Sequence, residues 1–282
     1  MKIGNKEFDT DNKTYVMGIL NVTPDSFSDG GKYNSLDRAL KHVEEMIADG
    51  MDIVDIGGES TRPGYTLISE EEEIERVVPV IRAVKENFDI PISLDTYKAE
   101  VAQAGIAAGA DLINDIWGLK YKKEWNGETG AGCHSKMAEV LAKANVPCCL
   151  MHNREEANYV NYMEDVKADL RQTIAIAKQA GIAKDKIILD PGVGFGKTYE
   201  NNLEIINSLE QLEELGYPVL LGTSRKSVIG LTLDLPASER VEGTVVTTVF
   251  GVLKGCAFVR VHDIKENVRA IKMAEAILNS AK

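Results

Sequence analysis

The chain has 282 residues, with 44 acidic against 32 basic side chains and a net charge of −12. A negative overall field excludes a general nucleic-acid binder, and a chain of this length builds a large core without disulfide staples. Of the four cysteines, adjacent Cys148 and Cys149 sit inside an apolar run and read as packed thiols. With no signal-peptide stretch and no bilayer-length apolar run, the expectation is a protein of the reducing cytoplasm.

In chain order, short apolar runs alternate with segments of helical period. Gly18-Ile-Leu20 opens into Asn21-Val-Thr-Pro-Asp25, and Leu36, Ala39, Leu40, Val43, Met46 and Ile47 then mark one helix face. Ile53–Ile56 leads to Gly57-Gly-Glu-Ser-Thr-Arg-Pro-Gly64. Ser69 with Glu72 predicts a capping box for a helix carrying Ile74, Val77, Val78 and Ile81. Ile92-Ser-Leu94 ends at Asp95, and Val101, Ala104 and Ala108 follow. Leu112-Ile113 ends at Asn114-Asp115, and after an irregular stretch Met137, Val140 and Leu141 follow. Cys149-Leu-Met151 ends at His152, before Val166, Leu170, Ile174 and Ala177. Ile187–Leu189 ends at Asp190-Pro-Gly192, before a helix expected to run through Leu203, Ile206, Leu209 and Leu212. Val219–Leu221 opens into Gly222-Thr-Ser-Arg-Lys-Ser227, before Val245, Val249 and Val252. Phe258–Val261 ends at His262-Asp263, and Ile264, Val268, Ile271, Ala274 and Leu278 close the chain.

Strand then helix, eight times over, predicts a parallel sheet. In this length it fits a single-domain α/β fold, a (β/α)8 TIM barrel over residues 1–282. An open doubly wound sheet is the alternative, but it normally carries a glycine-rich fingerprint after its first strand, where this chain has Asn-Val-Thr-Pro-Asp. Lys120–Gly132, rich in lysine and glycine, reads as an inserted loop after the fourth strand, remote from the chemistry. Polar clusters therefore gather at the C-terminal end of the barrel, where such folds place active sites.

Asp95, Asn114 and Asp190 end three different strands and converge. Carboxylates accept paired N–H bonds and an amide gives and accepts, as the edge of a fused heterocycle requires. Each aspartate alone is equally a helix cap. Asp190–Thr198 resembles a nucleotide loop, but its glycines match neither the P-loop nor Gly-x-Gly-x-x-Gly spacing. It reads as a tight turn bringing backbone close to a flat ligand. Arg62, Arg225, Lys226 and Arg260 make a cationic pocket on an acidic protein, suited to a small anion. Arg62, Arg260 and His262 form an anion constellation with Asn21, whose amide oxygen can ligate Mg2+ beside a diphosphate. Zinc lacks a Cys-x-x-Cys or His-x-x-x-His pair, and a serine hydrolase lacks its Gly-x-Ser-x-Gly elbow.

Taken together, Gly18–Gly31, Asp55–Gly64, Ser93–Thr96, Ile113–Asp115, Leu150–His152, Leu189–Thr198, Gly222–Ser227 and Arg260–Asp263 resemble the dihydropteroate synthase family of pterin-binding enzymes. The resemblance covers nearly the whole chain in order. It implies a cytoplasmic barrel enzyme of folate synthesis, usually a homodimer. Such enzymes join 6-hydroxymethyl-7,8-dihydropterin diphosphate to 4-aminobenzoate with Mg2+, and sulfonamides are expected competitors. By motif, Asp95, Asn114, Asp190 and Lys226 resemble the pterin residues. Asn21, Arg62, Arg260 and His262 resemble the diphosphate and Mg2+ site, and Thr61, Pro63, Phe195 and Ser227 the aminobenzoate contacts. Asp95, Arg62, Lys226, Arg260 and His262 would carry the catalysis. The segments Asn21–Gly31 and Gly57–Tyr65 resemble two loops that close over the site. A folate-dependent methyltransferase of the same barrel group would share the pterin acids but needs no diphosphate site. A non-catalytic pterin-binding protein would lack the loop and anion residues.

Overall fold

A computed structural model describes the chain except residues 23–30, 60–66, 129, 131 and 281–282, with residues 31–35 described for backbone only. Eight parallel strands lie in the order β8-β7-β6-β5-β4-β3-β10-β9. They are β3 (Tyr15–Asn21), β4 (Ile53–Gly57), β5 (Ile92–Asp95), β6 (Leu112–Asp115), β7 (Cys148–Met151), β8 (Ile187–Asp190), β9 (Leu220–Leu221) and β10 (Phe258–Val261). A parallel bridge from Leu189 to Val219 joins the two ends of that order and closes the barrel. The expected (β/α)8 architecture is therefore present as one domain. Strands β4 to β9 are buried throughout, which is why they read as unbroken apolar runs rather than as an alternating pattern.

Helices α1 (Gly31–Ala48), α2 (Glu70–Asn87), α3 (Ala99–Ala108), α4 (Lys136–Ala144), α5 (Tyr162–Ala180), α6 (Tyr199–Asn207), α7 (Ser227–Leu233), α8 (Val241–Leu253) and α9 (Ile264–Asn279) form the outer layer. Their apolar stripes meet the outward residues of the strands in one continuous core that includes Val54, Ile56, Leu94, Ile113, Cys148, Leu150, Leu189 and Val259. Cys149 joins a different, interior cluster, so the adjacent cysteines do occupy opposite faces of β7.

Three local expectations need correction. Ser69 does cap α2 by accepting the Glu72 N–H, at 3.2 Å, but the Glu72 carboxylate turns away to Arg76 and the box is half made. The reciprocal box forms instead at Thr198 and Asn201, at the start of α6. The helix expected through Leu212 stops at Asn207 and continues after Ser208 as a 3-10 turn over Leu209–Leu215. The stretch 120–132 is tied to its surroundings near its middle: the Glu124 carboxylate accepts the Ala99 N–H at the start of α3, and Trp125 bridges to Ser135. Nor is it remote from the mouth of the barrel, because Tyr121 packs edge-on against Tyr97 beside Ile116, Met151 and Phe195.

A two-stranded hairpin, β1 (Lys2–Ile3) with β2 (Lys6–Glu7), precedes the barrel. Ile3 and Phe8 press into the barrel floor against Met17, Ile53, Leu112, Cys149, Ile188, Leu220 and Phe258. The Phe8 ring lies 4.8 Å from Tyr15 and 5.7 Å from Phe258. The mutual bonds of Met1 and Phe8, one through the terminal ammonium, hold the plug closed.

Candidate active site

Side chains alternate along a strand, so the inward residues two positions above the floor line the mouth. Ile53 is followed by Asp55, Leu112 by Asn114, Ile188 by Asp190 and Phe258 by Arg260. Arg260 donates from Nε to Asp55 at 2.5 Å and from Nη2 to Asp95 at 2.6 Å. Asn114 donates to the same Asp55 oxygen at 3.3 Å. Burial presses the Arg260 guanidinium to lose its proton, but Asp55 and Asp95 more than offset this and hold it charged. Burial lifts the Asp95 carboxyl to about 7, against the pull of Arg260 and with help from Asp55. Asp55 Oδ1 and Asp95 Oδ1 are both buried and, among the described residues, receive no hydrogen bond. Such atoms in a concave polar site are acceptors for a ligand's N–H groups.

Asp190, also buried, turns Oδ1 back to the Gly192 N–H at 2.6 Å. Its pKa is raised by burial, with Lys226 opposing. The Lys226 ammonium donates to Val193 O and lies 4.7 Å from the centre of the Phe195 ring. Burial depresses it to about 8, with Asp190 opposing. Two strand-end glycines leave the mouth open between these groups. A Cβ at Gly222 would sit 3.6 Å from Asp190 Oδ2 and 4.0 Å from Lys226 Nζ, and one at Gly57 3.7 Å from Asp95 Oδ2 and 3.8 Å from Asn21 Oδ1.

The turn after β8 requires glycine at two points. Gly192 has φ +69°, and a Cβ there would meet His152 O at 1.9 Å. Gly196 has φ +53°, and its Cβ would meet Arg154 O at 2.3 Å. The turn is thereby pressed onto the segment after β7. Its Phe195 joins Met151, Ile116 and Tyr97 as an apolar wall.

Of the residues expected from sequence, Asp95, Asn114, Asp190, Lys226, Arg260 and Asn21 thus converge, and Phe195 stands beside Lys226. His262 follows β10, its Nδ1 2.9 Å from Ser224 Oγ. Ser227 is exposed at the first turn of α7. Thr61, Arg62 and Pro63, with most of the two segments expected to close over the site, lie outside the described residues. Arg225 drops out of the cationic pocket: its guanidinium forks onto Asp263, with Nε 3.0 Å from Oδ2.

Sequence reasoning missed Asp55, His152, Asp169 and Lys197. His152 is buried, with Nε2 3.0 Å from Asp169 Oδ2 and Nδ1 2.8 Å from Lys197 Nζ. Burial lowers its pKa to about 4, against Asp169. Asp55 was signalled by a charge inside an apolar strand run, two residues before a glycine. His152 was signalled by ending the apolar run of β7, while Asp169 and Lys197 carried no comparable signal.

Residues 17–262 match the family described as pterin binding enzyme. Dihydropteroate synthase of Clostridium beijerinckii is 63% identical over 279 residues, 99% of each chain. The crystal structure of the dihydropteroate synthase of Clostridium difficile in the presence of pteroic acid is 49% identical, with a TM-score of 0.90 over 96% of this chain and 99% of that one. The Yersinia pestis dihydropteroate synthase in a sulfonamide drug complex is 42% identical, with a TM-score of 0.88 over 100% and 99%. With a fold, a mouth and a sequence that agree over this length, the chain belongs to the dihydropteroate synthase family of pterin-binding enzymes.

Proposed function

We propose that this protein condenses 6-hydroxymethyl-7,8-dihydropterin diphosphate with 4-aminobenzoate, forming 7,8-dihydropteroate and diphosphate. The observation that carries this reading is the pair of undonated carboxylate oxygens on Asp55 and Asp95, buried at the mouth of a barrel whose relatives include one solved with pteroic acid. The pterin's adjacent N–H groups meet the acceptors of Asp95, Asn114 and Asp190. The C–O bond to the diphosphate breaks with its electron pair, leaving a cation delocalised into the pterin ring. Asp95 stabilises that cation by fixed electrostatics, while Lys226 stands at the ring's edge. Asn21, Arg62, Arg260 and His262 receive the departing anion. The aryl amine's lone pair then forms the C–N bond, and its surplus proton leaves to solvent or diphosphate. Thr61, Pro63, Phe195 and Ser227 hold the aryl acid, and para-amino sulfonamides compete there.

Mg2+ fits as a companion of the diphosphate rather than a resident of a protein cage. No cluster of three or more His, Cys, Asp or Glu suited to a metal occurs among the described residues, and Asn21 offers one neutral oxygen of the kind Mg2+ accepts. When bound with the substrate, Mg2+ would neutralise developing charge on the diphosphate.

We also propose a homodimer. Leu231, Leu233, Val246, Phe250 and Leu253 leave a large apolar face exposed on α7 and α8, continuous with Leu203 of α6. Val246→Asp should shift the sedimentation coefficient to that of a monomer. The free state of all four cysteines supports a cytoplasmic site of action, and no helix among the described residues is long and apolar enough to cross a membrane.

The deciding experiment supplies both substrates with Mg2+ and assays diphosphate. Release only when both are present supports the reading. Methyl transfer from a folate, or pterin binding without turnover, would replace it with one of the two alternatives.

A further inference from the structure

The turn Asp190–Lys197 contains three glycines at positive φ, Gly192, Gly194 and Gly196, so its own backbone supplies little rigidity. Besides its own Phe195 N–H to Gly192 O bond, three of its carbonyls are held by side chains. Val193 O accepts from Lys226, Gly196 O accepts from the Tyr159 hydroxyl at 2.7 Å, and Phe195 O accepts from Lys197 Nζ at 3.0 Å. Lys226 belongs to the proposed pterin site. Lys197 does not, and its second contact is the buried imidazole of His152.

The protonation of Lys197 sets the direction of each bond. Burial lowers the Lys197 pKa to about 7, with Asp190 opposing; in its ammonium form it only donates, so His152 Nδ1 is then the bare acceptor and Nε2 carries the proton, donated to Asp169. Asp169 also accepts from Arg154 Nε at 2.6 Å. The result is a chain from helix α5 to the turn: Asp169 orients the imidazole, the imidazole orients Lys197, and Lys197 fixes the Phe195 carbonyl. His152 reinforces it through its backbone, donating its N–H to Asp190 O at 2.8 Å.

We infer that Lys197, set by His152 and Asp169, is a positioning residue for the aryl-acid half of the site, acting through the placement of Phe195 without touching either substrate. This rests on the proposed reaction and on Phe195 facing 4-aminobenzoate. Because Lys197 also lies near Asp190 and opposes the burial-driven rise of its pKa, the competing explanation is an effect on pterin binding through charge.

A double-mutant cycle on the full-length protein separates the two. Diphosphate release by the wild type is measured first, and its absence would sink the reaction itself rather than the role of Lys197. Lys197→Met should raise the KM for 4-aminobenzoate about tenfold while the calorimetric Kd for the pterin moves less than about threefold. In a Phe195→Ala background, Lys197→Met should add almost nothing, the signature of a residue acting through another. His152→Gln, which offers an acceptor to Lys197 and a donor to Asp169, should retain most of the wild-type KM, and Lys197→Gln covers the case in which the methionine variant does not fold. Equal losses of pterin and aminobenzoate affinity, or additivity with Phe195→Ala, would overturn the inference.

Discussion

The floor and the mouth of the barrel are built from the same strands, two residues apart, and have opposite chemistry. At the floor the inward side chains are Met17, Ile53, Leu112, Cys149, Ile188, Leu220 and Phe258, sealed by Ile3 and Phe8. One step up β4, β6, β8 and β10 they become Asp55, Asn114, Asp190 and Arg260. The period of two that alternates faces along a strand also places these two layers on the same face. Stability and chemistry are thereby assigned to separate levels of one structure. The lower level excludes water by close packing, and the upper one keeps charges that burial penalises.

The strongest test of this division is Phe258→Ala. Phe258 is wholly buried at the floor, and its truncation should cost about 3–5 kcal/mol of unfolding free energy in denaturant titration. The folded fraction should bind pterin with unchanged affinity. A loss of affinity in proportion to stability would show that the two levels are not separable.

Asp190→Asn probes the opposite level. It should cost about 1.5–3 kcal/mol of pterin binding, as a charged acceptor is replaced by a donor. Its midpoint in denaturant should be unchanged or higher. The folded-state pKa of Asp190 lies above its ordinary value because of burial, so at neutral pH the carboxylate charge works against folding. Unchanged pterin binding by calorimetry would remove Asp190 from the site.

The smallest effect is in the pH profile. In the proposed reaction Asp95 acts as a carboxylate, its pKa raised by burial to about 7, and Lys226 as an ammonium, its pKa lowered by burial to about 8. Activity should therefore rise with pH as Asp95 ionises and fall as Lys226 loses its proton, giving a bell in kcat/KM for the pterin substrate. One pH unit outside the bell should cost at most about tenfold. Asp95→Asn should lower the plateau and abolish the acid limb; an acid limb that persists belongs to another group.

The upper level was largely legible in the sequence because residues that end strands break the apolar run, as Asp95, Asn114 and Asp190 do. Asp55 is signalled as a charge inside its run, but its role shows only through its pairing with Arg260, 205 residues away. His152 ends its run as Asp95 does, but its partnership with Asp169 and Lys197 was invisible: the three come from α5, the end of β7 and the turn after β8, and local periodicity carries no record of contacts between distant segments. The floor hairpin is too short to show alternation at all. The helix break at Ser208 was hidden by Leu209 and Leu212, which keep an apolar spacing but wind as a 3-10 turn.

The plug formed by Met1, Ile3 and Phe8 also sets the traffic through the barrel. A barrel sealed beneath its charged layer is a blind alley, with one way in and the same way out. In the proposed reaction the heterocycle, seated on Asp95, Asn114 and Asp190, would lie at its closed end. Anything that settles above it bars its exit. On that reading the deeper ligand would arrive first and depart last, and an aryl compound held above it would act as a stopper as well as a rival.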